Sequence, residues 1–231
     1  MVVVKERYSI LKSLIAIVLV ILFLWAGQWQ YQRGIDRHAK NTLIKEQSLL
    51  PPIQLNQLDD DILAFEWRKV TLSGSFDSNN EILLRNRYHE GFYGFEQLTL
   101  FTIGDKKIWV DRGWIKAGAS ATISPKLQET YEGNVTITGR IRMDSSLPRG
   151  KFFAISQDSS KNLVSQLDAR KGVQTEKFYV DLISASDARM NPDVPVELPE
   201  LSDGPHMAYA LQWVFFAGLV IYGRRLIRKS A

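Results

Sequence analysis

Two uncharged apolar runs, one near each end, constrain this chain more than any other feature of its sequence. Ser13 to Trp29 (SLIAIVLVILFLWAGQW) and Met207 to Gly223 each hold 17 residues without a charged side chain. A helix of that length rises about 25 Å, and its flanks extend it toward the roughly 30 Å hydrocarbon core of a bilayer. Both runs carry aromatics near an end, Trp25, Trp29 and Tyr31 in one and Tyr209 and Trp213 in the other. Such rings suit the headgroup level. The mean hydropathy of −0.14 conceals the runs because it averages them with a polar middle. Two membrane spans are expected, residues 13–31 and 206–223. A cleaved signal peptide is the competing account of the first run, since Lys5, Arg7 and Lys12 precede it. The run is long for that role and Leu24-Trp25-Ala26 is a poor cleavage site, so an uncleaved anchor is expected.

Charge sets the expected orientation. Basic residues flank the spans at Lys5, Arg7 and Lys12 and at Arg224, Arg225, Arg228 and Lys229, and positive flanks prefer the cytoplasm. Residues 1–12 and 224–231 are therefore expected as cytoplasmic tails, with 32–205 outside. The chain has 29 basic and 25 acidic residues; outside the tails the balance is 22 to 24. The pI of about 9.2 thus reflects topology, and nucleic-acid binding loses its main support. The absence of cysteine removes disulfides, thiolate metal sites and the thioether attachment of c-type haem.

Between the spans, residues 32–50 continue the first helix as a polar extension until Pro51-Pro52 stops it. Short β-type runs follow: RKVTLSGSF, EILLRNRY, YGFEQLTLFTI, KKIWVDRGWIK, NVTITGRIRM and KFYVDLISA. One amphipathic helix fits SSKNLVSQLDARKG, residues 159–172, capped by Ser159 or Ser160 and stopped at Gly172. MNPDVPVELPELSDGP reads as an extended, proline-rich return. The expected architecture is α+β: two transmembrane helices flanking an external, mainly antiparallel and barrel-like β domain with one or two helices.

The usual catalytic motifs, Gly-x-Ser-x-Gly, Walker A and His-Glu-x-x-His, are missing. Three histidines, His38, His89 and His206, fall in a helix extension, a turn and a membrane edge, with no spacing that suggests a shared metal. In VDRGW (Val110 to Trp114), Asp111 and Arg112 read as structural pairs with neighbouring strands and Trp114 as a core side chain; a ligand site is the other reading. His206 has two readings as well. It is either a solvated residue at an interfacial helix start or one member of a binding face. Tyr209, Ala210 and Trp213 follow it at i+3, i+4 and i+7, and Trp25, Gln28 and Trp29 of the first span lie at the same expected depth. An imidazole among indoles is able to ligate the iron of an apolar macrocycle.

GQWQYQR followed by Lys40, then RKVTLSGSFD, EILLRNR, GFYGFEQLTLF, IWVDRGWI, VTITGRIR and HMAYALQW occur in an order that resembles the Surfeit locus protein one family. The match runs from about Gly27 to Trp213. The resemblance implies two membrane helices around an exported β-rich domain in a bacterial plasma (inner) membrane protein, with that domain in the periplasm. It also implies a non-enzymatic role in cytochrome c oxidase assembly, holding haem a transiently and passing it to the catalytic oxidase subunit. The implied partners are that subunit and the haem a synthesis machinery. The family's candidate axial haem ligand matches His206, with Gln28, Trp29, Tyr209 and Trp213 as the surrounding cofactor-binding residues. Gly27, Trp29, Gln30 and Arg33 match one family motif, and Arg112, Gly113 and Trp114 another. Pro205 and Gln212 depart from the family's usual Asn and Thr, and a proline brings no amide donor beside the histidine.

The alternative function is a two-span scaffold or sensor with an external β-rich interaction domain and no haem. An output domain finds little room in the short tails. The topology yields a direct expectation. A reporter active only outside the cytoplasm, fused after Ala231, stays silent, and activity there would reverse the assigned orientation.

Overall fold

The computed structural model describes residues 8–58, 61–118, 125–143, 154–156 and 175–230. It comprises two units, Met1–Leu43 with Glu200–Ala231, and Ile44–Pro199. Helix α1 (Ser9–Leu49) runs unbroken for 41 residues. It carries through the polar stretch after Trp29 because that stretch holds no proline and its one glycine, Gly34, is tolerated. It stops where Pro51 disfavours the helical conformation of the residue before it.

The second unit is a single mixed sheet. Its strands are β1 (Ile53–Gln54), β2 (Lys69–His89), β3 (Phe92–Ile103), β4 (Lys106–Lys116), β5 (Val135–Met143), β6 (Ala154–Ser156) and β7 (Phe178–Ala185). RKVTLSGSF and EILLRNRY, read separately from the sequence, are the two halves of β2. The Asp77-Ser78-Asn79-Asn80 segment between them looks like a turn but only shifts the register between Asp77 and Glu81. Asp77 holds it locally, accepting from Asn79 N at 3.0 Å and Asn80 Nδ2 at 2.7 Å. Such a side-chain turn bulges a strand without reversing it.

The true reversals are tight. Glu90-Gly91, both at positive φ, join β2 to β3, and Gly104-Asp105 join β3 to β4. Two-residue loops of this kind match the twist of the flanking strands. The pairings run β2-β3-β4-β7-β5, and β5 also pairs β2, so the path returns to its start. The sheet is mainly antiparallel, as expected, and mixed in that β1–β2 and β4–β7 are parallel. β7 runs antiparallel to β5 and therefore in the direction of β4.

Alternation divides the side chains between two faces. Val70, Leu72, Phe101, Ile108, Val110 and Val180 belong to the larger core, and Ile82, Leu98, Leu100, Trp109 and Tyr179 to a second cluster. Arg112 is fully buried, its guanidinium 5.5 Å from the Phe76 ring. It donates to Thr130 Oγ1 at 2.5 Å and Glu129 O at 2.7 Å, and lies 3.9 Å from Glu81. Burial lowers its pKa from the usual arginine value, partly offset by Glu81. Glu81 in turn accepts from Thr130 at 2.8 Å and Gln97 at 3.1 Å.

The tryptophan expected in the core, Trp114, is only half-buried; Trp109 takes that place at 1% exposure. The cause is a bulge. Arg112 and Gly113 both fall between the Leu98–Asp111 and Glu96–Trp114 pairs, and Gly113 sits at φ +95. A Cβ on Gly113 would lie 2.3 Å from Val194 O, so this corner admits no other residue unchanged. Trp114 is held instead by hydrogen bonds from N to Val194 O at 2.8 Å and from Nε1 to Arg87 O at 3.3 Å. The helix expected over residues 159–172 lies outside the described residues. Trp109→Ala should cost about 3–5 kcal/mol, the range for emptying a buried aromatic site. Trp114→Ala should cost less than half of that, and denaturant unfolding of the two variants measures the difference.

Candidate functional site

The first unit pairs α1 with α2 (His206–Ser230), and the two helices are long and apolar enough to cross a membrane. Pro205 opens α2: its carbonyl accepts from Tyr209 N at 3.0 Å, and the missing proline amide would have no helical partner there. Ser202 Oγ accepts from Gly204 N at 3.2 Å just before it.

The less exposed positions of α1 include Ser9, Ser13, Ala16, Val20, Phe23, Gly27, Gln30 and Gly34, alternately four and three apart. Those of α2 include His206, Ala210, Trp213, Ala217, Val220 and Arg224, with the same alternation. That spacing defines a seam between two helices. The helices run antiparallel, since Gln30 meets His206 at one end while Ser9 and Ser13 meet Arg224 at the other.

Small residues set the approach. A methyl group at Gly27 would stand 3.4 Å from Ala210 O and 3.5 Å from Trp213 Cβ; one at Gly34 would stand 3.2 Å from Met207 Cε and 3.4 Å from His206 Cβ. Ala210 and Ala217 are buried opposite. Close backbone approach through Gly and Ala is the usual basis of helix association in apolar surroundings. Trp213 stacks in the seam between Phe23 at 5.5 Å and Phe216 at 5.8 Å.

At the end of the seam away from Arg224, His206 Nδ1 donates to Gln30 Oε1 at 3.0 Å. The amide oxygen only accepts, so in the neutral ring the proton sits on Nδ1 and the lone pair on Nε2. Nearby, Asp203 joins α2's approach segment to α1: His38 Nδ1 donates to Oδ2 at 2.7 Å and Asn41 Nδ2 to Oδ1 at 2.9 Å. These bonds hold the Asp203 carboxyl below its ordinary range. Arg37 Nε donates to Ser202 O at 2.6 Å. At the opposite end, Arg224 donates to Ser13 Oγ at 3.0 Å and to Ser9 O and Oγ at 2.9 Å.

Of the sequence-predicted site residues, His206 and Trp213 lie on the seam. Gln28, Trp29 and Tyr209 point outward, Trp29 beneath the Arg33 guanidinium at 5.9 Å. The residue that reaches the imidazole is Gln30, two positions beyond Gln28 and on the other side of the helix. Its signal in the sequence was the seven-residue spacing of Gly27 and Gly34, which marks the contact face. Among the described residues, no group of three or more His, Asp or Glu side chains could hold a metal. In the other unit, a cavity of about 470 Å³ beside Trp114 is lined by Lys116, Lys126, Leu127 and Arg189, with no histidine.

The class defined by these features is a protein with two apolar helices joined through a small-residue seam, carrying one oriented imidazole at its end and a separate β domain. The chain belongs to the SURF1 family, whose model matches residues 17–218. That family is associated with cytochrome c oxidase assembly. Uncharacterized SURF1-like proteins of Mycobacterium bovis and Mycobacterium tuberculosis are 28% identical to it over 204 residues, covering 84% of this chain and 73% of each relative. The motif resemblance and the family match therefore agree.

The seam makes a graded prediction. Gly27→Ala should be close to neutral, because its methyl meets only ordinary contacts. Gly27→Leu should drive the helices apart at Trp213 at a cost of about 1–3 kcal/mol, the usual penalty of overpacking. Thermal unfolding of the detergent-solubilised chain compares them.

Proposed function

We propose that this protein is a carrier of haem a for cytochrome c oxidase assembly, and that His206 supplies the axial ligand through Nε2. The observation that carries the reading is the Gln30–His206 hydrogen bond, which leaves Nε2 as the free lone pair. A ring nitrogen held this way by a partner on its other nitrogen is the common arrangement of metal-ligating imidazoles. The donor set fits haem: one neutral nitrogen beside exposed apolar and aromatic surface, including Trp29, Tyr209 and Met207. Bound haem would contribute an iron centre open to axial ligation.

The chain's own part is positional. Gln30 orients the ring, Gly27 and Gly34 bring α1 close enough for it to do so, and Trp213 with Phe23 stiffens the seam beneath. Trp29, Gln28 and Tyr209 flank this end from outside and would contact a macrocycle by its apolar faces. A single protein ligand suits a carrier that must release its cargo, and no catalytic step is assigned to the protein. The proposed partners are the catalytic oxidase subunit and the haem a synthesis machinery. The proposed location is a bacterial inner membrane, with both termini cytoplasmic and the β domain periplasmic. The basic residues Lys12, Arg224, Arg225, Arg228 and Lys229 beside the apolar segments support that orientation.

Absorption spectra of the protein purified from cells making haem a test the reading. His206→Ala should lose most of the bound haem signal while remaining folded. Gln30→Leu should retain haem at weaker affinity, because the ligand remains but its orientation is lost; outer-shell partners of this kind are worth roughly 10–100-fold in affinity. An unchanged spectrum in His206→Ala would refute the ligand role and favour the scaffold alternative.

A further inference from the structure

Three carboxyl groups stand in a row on one face of the sheet, carried by consecutive strands. Asp111 of β4 lies directly opposite Asp181 of β7, and Glu96 of β3 lies beyond it across the Gly113 bulge. Asp111 and Asp181 are each 1% exposed, whereas the Glu96 side chain reaches the rim at 17%. Three arginines attend the row, at its ends. Arg87 of β2 places Nε 2.7 Å from Glu96, while Arg140 and Arg142 of β5 stand 3.5 and 3.3 Å from Asp181. Arg142 also lies 3.8 Å from the Trp67 ring and 5.9 Å from that of Tyr179. Asp181 Oδ1 is buried with no hydrogen-bond partner among the described residues.

Asp111 occupies the middle, between two other carboxyl groups. Gly113 N donates to its Oδ1 at 2.9 Å. Carboxyl groups set side by side out of water do not all ionise, so the row favours holding a proton. Burial and adjacent like charge both favour the neutral form, and Asp111 keeps the proton because Glu96 and Asp181 take the arginine ion pairs.

We propose that Asp111 carries a proton at neutral pH and donates it to Glu96, so that the Glu96–Asp111–Asp181 row is a proton-binding site coupling the stability of the β domain to the surrounding pH. Release sends the proton through Glu96 to water and leaves three carboxylates facing Arg87, Arg140 and Arg142, with the Tyr179 phenol beside them. Burial raises Asp111 well above the usual range, Glu96 and Asp181 add to the rise, and the Gly113 amide and Arg87 oppose it. Glu96 is raised by burial against the pull of Arg87. Asp181 is raised to about 6, again by burial, against Arg142 and Arg140. Since these groups hold protons more firmly folded than unfolded, stability is greatest at low pH. It falls as pH rises through the folded values. The share of Asp181 is spent above about pH 6, and any further decline belongs to Asp111.

The test is thermal and denaturant unfolding of the full chain in detergent from pH 6 to 9, followed by tryptophan fluorescence. The wild-type unfolding constant should rise with pH, by up to tenfold per unit for each proton released. Asp111→Asn keeps the shape and a donor toward Glu96 without a titrating group, and its unfolding constant should lack that rise. A rise equal to that of the wild type would overturn the proposal. If the variant fails to fold, infrared spectroscopy of the wild type decides alone. A buried protonated-carboxyl band at pH 7 that disappears at higher pH supports the site, and its absence at pH 7 overturns it.

Discussion

A polar side chain on an apolar helix has few partners, and here the polar side chains of α1 and α2 find one another. Gln30 meets His206 at one end of the seam; Ser9 and Ser13 meet Arg224 at the other. Between them the contact is made by Gly27, Ala210 and Ala217 and by the Phe23–Trp213 stack. Where water is excluded, an unpaired polar group costs several kcal/mol, so the two polar ends fix the register and the small residues permit it. The orientation of the imidazole is therefore a property of the helix pair. Neither helix alone determines it.

The β domain meets the same demand differently. Its buried charges are spread over both faces of one sheet, with Arg112 bonded to the carbonyl of Glu129 and the hydroxyl of Thr130 on one face and the carboxyl row with its arginines on the other. Both arrangements meet at the Arg112-Gly113 bulge. Alternation carries Arg112 inward with Val110, and the extra residue returns Trp114 to the face of Asp111 and Glu96. Glycine at φ +95 is the only residue that makes this exchange without strain.

Much of this was legible in the sequence, and the failures have physical causes. The apolar ends, the strands and His206 at a helix start followed from composition, alternation and capping. The seam did not, because in a uniformly apolar segment hydrophobic periodicity carries no phase; only the spacing of Gly27 and Gly34 does. Gln28 was preferred to Gln30 for the same reason. The joined β2 was missed because an Asp77 side-chain turn and a hairpin turn use the same residue types. Trp114 was assigned to the core because strict alternation has no room for a bulge, and the parallel β4–β7 pair depends on a return path that no local pattern encodes.

A chain is made from its N-terminus, and that order bears on the helix pair. Throughout synthesis α1 exists without its mate; Ser13 bonds back to Ser9 O at 2.9 Å on its own helix, but Gln30 waits for the last segment to emerge. His206 arrives only after the whole β domain has been made. The oriented imidazole thus arises only once α2 has docked on α1.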